Sequence, residues 1–232
     1  MPLPFFYFPD LRKTDITLDE ETSKHIAGVL RMKAGEELLL TDGNGKKAQA
    51  VITNDHRKHC VVKVQTINTE PEKITRVCIA ISLLKNAARF EWFLEKATEI
   101  GVAEIIPLRC DRTERTSFRY DRLKAILVSA MLQSQQCWLP QLHEPTPFEN
   151  VIAINHATRF IAHCLPQQKQ TLYGVLKKLN SSIIMIGPEG DFTEDEIEQA
   201  LAKNFLPVTL GETRLRTETA GLVAATLLCA PV

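Results

Sequence analysis

The chain of 232 residues has no net charge, since 28 lysines and arginines balance 28 aspartates and glutamates. That balance excludes a uniformly basic nucleic-acid coat but leaves room for a local basic face. There is no CxxC pair. The six cysteines (60, 78, 110, 137, 164 and 229) are scattered, most of them in apolar runs. Buried, reduced thiols are therefore expected, not a disulfide framework. His56-Arg57-Lys58-His59-Cys60 has no second ligand pair at useful spacing, so a turn is expected there and no metal. No stretch approaches the roughly 20 apolar residues that span a bilayer. The apolar start MPLPFFYFPD lacks the basic residues that open a signal peptide. A cytoplasmic protein with no membrane partner is expected. GxGxxG, GxxxxGKS and GxxxxGKT are all missing, so neither classical nucleotide fingerprint is present. The absence of GxGxxG argues against a nicotinamide oxidoreductase.

What is present divides into two patterns. Residues 1–70 alternate in the manner of strands. EELLLTDGNGKKAQAVITN reads as two strands joined by the turn Asp42-Gly43-Asn44-Gly45, and HCVVKVQTI as a third. One short helix is expected within LDEETSKHIAGVLR, with Ile26, Val29 and Leu30 on one face. This segment reads as a small barrel. The polar stretch NTEPEKIT marks the domain boundary. From 71 to 232, apolar strands alternate with amphipathic helices, which implies a mainly parallel sheet covered on both faces. Phe90, Phe93, Leu94 and Ala97 make one helical stripe that stops at Gly101. Leu123, Ile126, Leu127, Ala130 and Met131 make another. RFIAHCL reads as a strand with His163 and Cys164 packed in it, and TLYGVLKKLN as a helix. Glu91, Glu95 and Glu99 form an acidic stripe, usually solvated or turned to a basic partner.

Charge is uneven along the chain. Residues 71–125 carry 11 basic and 8 acidic side chains, and residues 181–232 carry 3 and 8. Within RCDRTERTSFRYDRLK, six basic residues stand with Phe118 and Tyr120 among them. That composition suits phosphate contact and stacking, with Arg112, Arg115 and Arg119 as candidates. Near the end, the buried run ending at Ile186 meets Gly187-Pro188-Glu189-Gly190. Thr193-Glu194-Asp195-Glu196 then reads as a capping box. Leu210-Gly211-Glu212-Thr213 leads to RLRTETAG and a very apolar helix, with Thr217 as the expected N-cap. Such turns, at the carboxyl ends of parallel strands, are where ligands bind in α/β proteins.

IGPEGDFTEDEIEQA together with LGETRLRTETAGLVAATLL resembles the 16S ribosomal RNA uridine N3-methyltransferases, of the SPOUT class. SKHIAGVLRMKAGEELLLTDGNG is similar to their N-terminal RNA-binding domain, and SLLKNAARFEWFLEKATEIGVAEIIPL to the start of their methyltransferase domain. The resemblance implies an α/β fold: a trefoil-knotted SPOUT methyltransferase domain over 71–232 with an N-terminal β-barrel PUA-like domain over 1–70. It implies S-adenosylmethionine as cofactor, 16S ribosomal RNA within the small subunit as partner, a homodimer and no metal. On this reading Ile186, Gly187, Pro188, Glu189 and Gly190 line one side of the cofactor site. Leu210, Gly211, Leu215, Arg216 and Thr217 line the other, and Leu165 closes it. Arg216 is the candidate donor to a uracil oxygen, and Glu218 accepts a proton or orients Arg216. Arg31, Lys33 and Lys85 join the RNA-binding candidates. Thr213 and Arg214 stand where family members often have an arginine and then an aliphatic residue. Leu132 and Gln136 depart from the family pattern as well. Asp191 stands where glycine is common. The competing readings are a 2′-O-ribose RNA methyltransferase of the same class and a non-catalytic RNA-binding assembly factor.

Overall fold

The computed structural model describes residues 3–72, 74–114, 117–166, 168–176 and 181–230. The chain forms two compact units. One is Met1–Glu72 with Met131–Leu139, the other Lys73–Ala130 with Pro140–Val232.

The first unit is built on strands β1 (Phe5–Tyr7), β2 (Asp15–Thr17), β3 (Glu37–Thr41), β4 (Lys46–Asn54) and β5 (Val61–Thr69). They form one sheet in the order β1-β3-β4-β5-β2. β1 runs parallel to β3 and the other pairs are antiparallel. No pairing joins β1 to β2 among the described residues, so the sheet is an open half-barrel. The alternation legible in the sequence becomes the core: Leu38, Leu40, Ala48, Ala50, Ile52 and Val62 are buried together with Ile26. Each leucine, isoleucine or valine side chain moved fully out of water contributes roughly 1.5–3 kcal/mol.

The helical segment of this unit departs from its expected face. It starts as α1 (Glu20–Lys24), capped by the Asp19 carboxylate on the Thr22 N–H, and continues as a π turn over His25–Val29. The Leu30 N–H donates to the His25 carbonyl, five residues back. The extra residue in the turn shifts the angular phase of the side chains beyond it. Ile26 stays buried, but Val29 is 69% exposed and Leu30 42%. Arg31 then takes φ 57°, in the left-handed region.

The second unit holds strands β6 (Arg76–Ser82), β7 (Glu104–Arg109), β8 (Gln141–Leu142), β9 (Thr146–Pro147), β10 (Thr158–Ala162), β11 (Gln170–Thr171), β12 (Ser181–Ile186) and β13 (Leu206–Thr209). Every pairing in this sheet is parallel, and the order is β11-β13-β10-β12-β6-β7-β8, with β9 also on β7. The central strands β6 and β12 are buried on both faces. That explains why they read as unbroken apolar runs. Helices α2 (Ala87–Ile100), α3 (Tyr120–Gln133), α4 (Phe148–Val151), α5 (Leu172–Val175), α6 (Glu194–Ala202) and α7 (Thr217–Cys229) complete the unit, although α3 ends within residues grouped with the first. Cys78, Ala80, Ile183 and Met185 point to the face covered by Phe148, Phe192, Ile197 and Phe205. α7 packs against α2, β6 and β12.

Several expected elements differ in detail. The RFIAHCL strand ends at Ala162. Of TLYGVLKKLN, only Leu172–Val175 is helical, and 177–180 lie outside the described residues. The acidic stripe on α2 is neutralised within the unit. Arg122 grips Glu91 with two hydrogen bonds of 2.7 and 2.8 Å, and Lys96 bridges Glu95 and Glu99. All six cysteines are free. Cys60, Cys78, Cys110 and Cys137 are buried, Cys229 is half-buried and Cys164 is exposed. No described helix is long and apolar enough to cross a membrane.

Candidate functional site

β12 carries the chain into the GPEG turn at its carboxyl end. An added Cβ at Gly187 would lie 3.0 Å from the Phe192 ring and 3.2 Å from its backbone nitrogen, so any larger residue there presses on the protein's own packing. Beyond it the turn is held from several directions. Arg112 Nη1 donates to the Gly190 carbonyl at 2.7 Å and to that of Phe192 at 3.3 Å. The Lys85 N–H donates to Glu189 Oε1 at 3.2 Å. Asp191 sits at φ 65°, a conformation that glycine adopts without strain. Its carboxylate offsets the cost by accepting the Cys164 N–H at 2.8 Å and the Phe192 N–H at 2.9 Å. α6 then starts with the complete capping box, in which Thr193 and Glu196 bond each other's backbone N–H.

The second motif arrives from β13. The N-cap of α7 is Arg216, which makes no side-chain cap bond, and Thr217 is the first helical residue. This corrects the expected capping role of Thr217. Its buried hydroxyl donates instead to the Gly187 carbonyl at 3.0 Å. That bond ties the two sequence motifs together, and it leaves the first N–H groups of α7 without a side-chain cap. Glu218 is buried, and its partner is Arg89 of α2, with Nε 3.6 Å from Oε1. Among the described residues Glu218 makes no bond to Arg216.

The two motifs border an open cavity of about 360 Å³. Seven expected residues line it: Ile186, Gly187, Pro188, Glu189, Leu215, Arg216 and Thr217. Leu165, Gly190, Leu210 and Gly211 are not among its walls. Leu165 packs against the core, and the Gly190 carbonyl is taken by Arg112. The wall also includes Arg89, Ala162, Cys164, Asp191, Arg214 and Ala220, which sequence reasoning did not assign to the site. Cys164 thus faces the cavity and is not half of a packed core pair. Only its place one strand end away from Gly187 could have signalled this, and strand order is not written in local sequence.

His163, the neighbour of Cys164, is buried, and neither of its ring nitrogens has a partner among the described residues. Burial is the main cause holding its pKa below the ordinary value, and the Lys169 charge acts in the same direction, against Asp191. A depressed histidine pKa favours the neutral ring in the folded state. The stability it contributes is full above the unfolded value of about 6.5 and is lost as pH falls below it toward the folded value. The melting temperature is expected to drop as pH is lowered from 7.5 to 5, and His163→Phe to flatten that dependence. Equal slopes for wild type and variant would remove His163 from the effect.

The basic candidates fall in both units. Arg31 and Lys33 are exposed in the first, with Lys33 paired to Asp55 at 3.2 Å. In the second, Lys85 pairs with Glu114 at 2.8 Å, Arg112 holds the GPEG turn, and Arg119 is exposed. Arg115 lies outside the described residues.

Comparison with known proteins places these features in context. Residues 70–229 match a family model described as an RNA methyltransferase domain, and residues 18–65 one described as an RNA methyltransferase PUA domain. The ribosomal RNA small subunit methyltransferase E of Synechocystis is 30% identical over 216 residues, which cover 90% of this chain and 71% of that protein. The crystal structure of a probable rRNA-methyltransferase from Porphyromonas gingivalis superposes with a TM-score of 0.90 and 41% identity, over 96% of this chain and 95% of the other. That of a ribosomal RNA small subunit methyltransferase E from Neisseria gonorrhoeae, bound to S-adenosyl methionine, gives 0.86 and 28%, over 97% and 95%.

Proposed function

Because the chain belongs to the ribosomal RNA small subunit methyltransferase E family, we propose that it methylates N3 of a uridine in 16S ribosomal RNA, with S-adenosylmethionine as the methyl donor. The observation that carries this reading is the union of the GPEG turn and the RLRTETAG loop around one cavity, joined by the Thr217–Gly187 bond. The cavity's size falls in the usual range for small-ligand sites, about 300–1,000 Å³. Its walls suit an amphiphilic cofactor: Ala162, Ile186, Pro188 and Leu215 are apolar, and the first N–H groups of α7 carry no side-chain cap. When bound, the cofactor supplies an electrophilic methyl group on a sulfonium.

The chain's own residues have two tasks. The first is to hold the acceptor nitrogen in line, which lowers the barrier by fixing geometry before reaction. The second is to stabilise negative charge on the uracil oxygens as N3 releases its proton to solvent water and its lone pair takes the methyl group from the sulfonium. Arg216, exposed on the cavity wall, can donate to such an oxygen. Glu218 acts through Arg89 and the first turn of α7, where a carboxylate is favoured by the helix dipole. Arg31, Lys33, Lys85 and Arg119 contribute phosphate contacts, whereas the Arg112 guanidinium is spent on the Gly190 and Phe192 carbonyls.

The same reading includes a trefoil knot in the second unit. It is supported by the path of the chain, which leaves β13 near the sheet edge and returns as α7 onto β6 and β12. It also includes a homodimer, acting on the small subunit in the cytoplasm. Half-exposed Trp92 on α2 favours self-association, and light scattering in solution measures it.

The test is a transfer assay with labelled cofactor and small ribosomal subunits lacking the modification, followed by nucleoside analysis. Label in 3-methyluridine is expected. Label in a 2′-O-methyl nucleoside would keep the class and change the acceptor. No label together with no cofactor binding would leave an RNA-binding assembly factor.

A further inference from the structure

Three arginines converge on the cavity, and they come from two distant parts of the chain. Arg214 and Arg216 precede α7, and Arg89 stands in the first turn of α2. Among the described residues none of the three guanidinium groups donates a hydrogen bond to protein. Four other arginines of this unit donate to protein, Arg112 among them, although Arg109 and Arg119 share the open state of the cavity arginines among the described residues. Arg76 bonds Glu104, Arg122 bonds Glu91, and Arg159 bonds Asn155 and the Lys203 carbonyl. Arg89 is the most constrained of the three. At 3.6 Å its Nε is too far from Glu218 Oε1 to hydrogen bond, yet near enough to be held by charge. The Glu218 side chain is 9% exposed and that of Arg89 40%. The Nε edge of the guanidinium is therefore held by charge beside a buried carboxylate, and Arg89 lines the cavity.

A planar cation with open donors, fixed at one edge, suits bidentate recognition of an oxygen anion. The cofactor's sulfonium carries like charge and repels it, so within the cofactor only the methionine carboxylate competes for this group, and cofactor affinity reads that competition out. We propose that Arg89 is an acceptor-binding residue: it donates to an oxygen of the RNA, and Glu218 sets its orientation. The inference rests on the reading of the chain as an RNA methyltransferase. The shared chemistry is an anionic or carbonyl oxygen, belonging to either a backbone phosphate or the uracil ring.

The experiment uses the full chain with small ribosomal subunits lacking the modification, and compares wild type, Arg89→Gln, Glu218→Gln and the double variant. Cofactor affinity is measured by titration calorimetry, and transfer kinetics at several salt concentrations. Arg89→Gln is expected to lower kcat/KM for the subunit about tenfold or more, the scale of a lost charged hydrogen bond, with cofactor affinity unchanged. A raised KM with a salt slope reduced by about one identifies a phosphate partner. A lowered kcat at constant KM identifies a uracil oxygen. Any of three results overturns the proposal: wild-type kinetics, a loss explained wholly by weaker cofactor binding, or recovery in the double variant, which would trace the effect to an orphaned Glu218. Should Arg89→Gln fail to fold, Arg89→Lys carries the test, since it keeps the charge beside Glu218 and loses the fork. If the wild-type chain transfers no methyl group, the functional reading fails. Filter binding of the same subunits then decides Arg89, with a tenfold loss supporting it and equal affinity overturning it.

Discussion

Alanine at Arg216 is expected to lower the turnover of methyl transfer by about 10²- to 10³-fold, the range for loss of one preorganised donor at a developing oxyanion. Cofactor affinity is measured alongside, because Arg216 also lines the cavity assigned to the cofactor, and the loss of turnover is read at saturating cofactor. The position of the side chain is the reason for the expected loss. Arg216 is the N-cap of α7 with extended backbone, φ −71° and ψ 155°, and its side chain makes no cap bond. Truncating it therefore removes little helix stability, and a fall in turnover reads out chemistry instead of folding. The neighbouring Thr217–Gly187 bond stays in place to hold the loop. Arg216→Lys separates two contributions, because it keeps the charge and loses the planar fork. Steady-state kinetics at saturating cofactor measure the effect. Retention of full turnover by Arg216→Ala would end the assignment of Arg216 to the chemistry.

The largest effect on stability is expected in the first unit, at Gly45→Ala. Gly45 has φ 86°, where an L side chain costs about 1–2 kcal/mol. A Cβ there would clash with Trp138 Cζ2 and lie 2.9 Å from the Glu70 carbonyl oxygen. Neither neighbour yields easily. The Gly45 N–H is bonded to the Cys137 carbonyl, and its own carbonyl to the Glu70 N–H. Overpacking of this kind adds about 1–3 kcal/mol, so the total is about 2–5 kcal/mol. Chemical denaturation monitored at the tryptophans measures it. A loss below about 1 kcal/mol would mean that residues 137–138 relax away from the turn. Gly43→Ala is the comparison. There φ is 72° and the nearest contacts are 3.1 Å, so strain acts with less steric conflict.

Gly45 also illustrates how far the sequence could be read. Asp-Gly-Asn-Gly between two alternating segments announces a hairpin turn by local rules, and β3 and β4 pair across it in the expected antiparallel sense. The reason alanine is barred from the fourth position is Trp138, 93 residues away in the chain, since 138 minus 45 is 93. Val29 and Leu30 show a different limit. Their spacing fits a 3.6-residue period, but one π turn changes the phase, and both side chains face solvent. Asp191 is intermediate. Its place in the GPEGD stretch was visible, whereas its left-handed backbone, offset by bonds to Cys164 and Phe192, needed the neighbouring strand end.

By itself, the sequence determined what depends on residues close together in the chain. Apolar runs marked the buried parallel strands, helical stripes marked α2 and α3, and the Thr193–Glu196 box marked the start of α6. Both motifs that border the cavity were also legible, because each is a continuous stretch at a strand end. Only the tertiary structure decided what meets between them. It made Thr217 a donor to Gly187 instead of a helix cap, turned Glu218 toward Arg89, and set Cys164 and Asp191 into the same wall. The physical reason is that parallel sheets are assembled from crossovers, so neighbouring strand ends are far apart in sequence. β10, β12 and the loop after β13 converge through strand order, and no local pattern encodes that order.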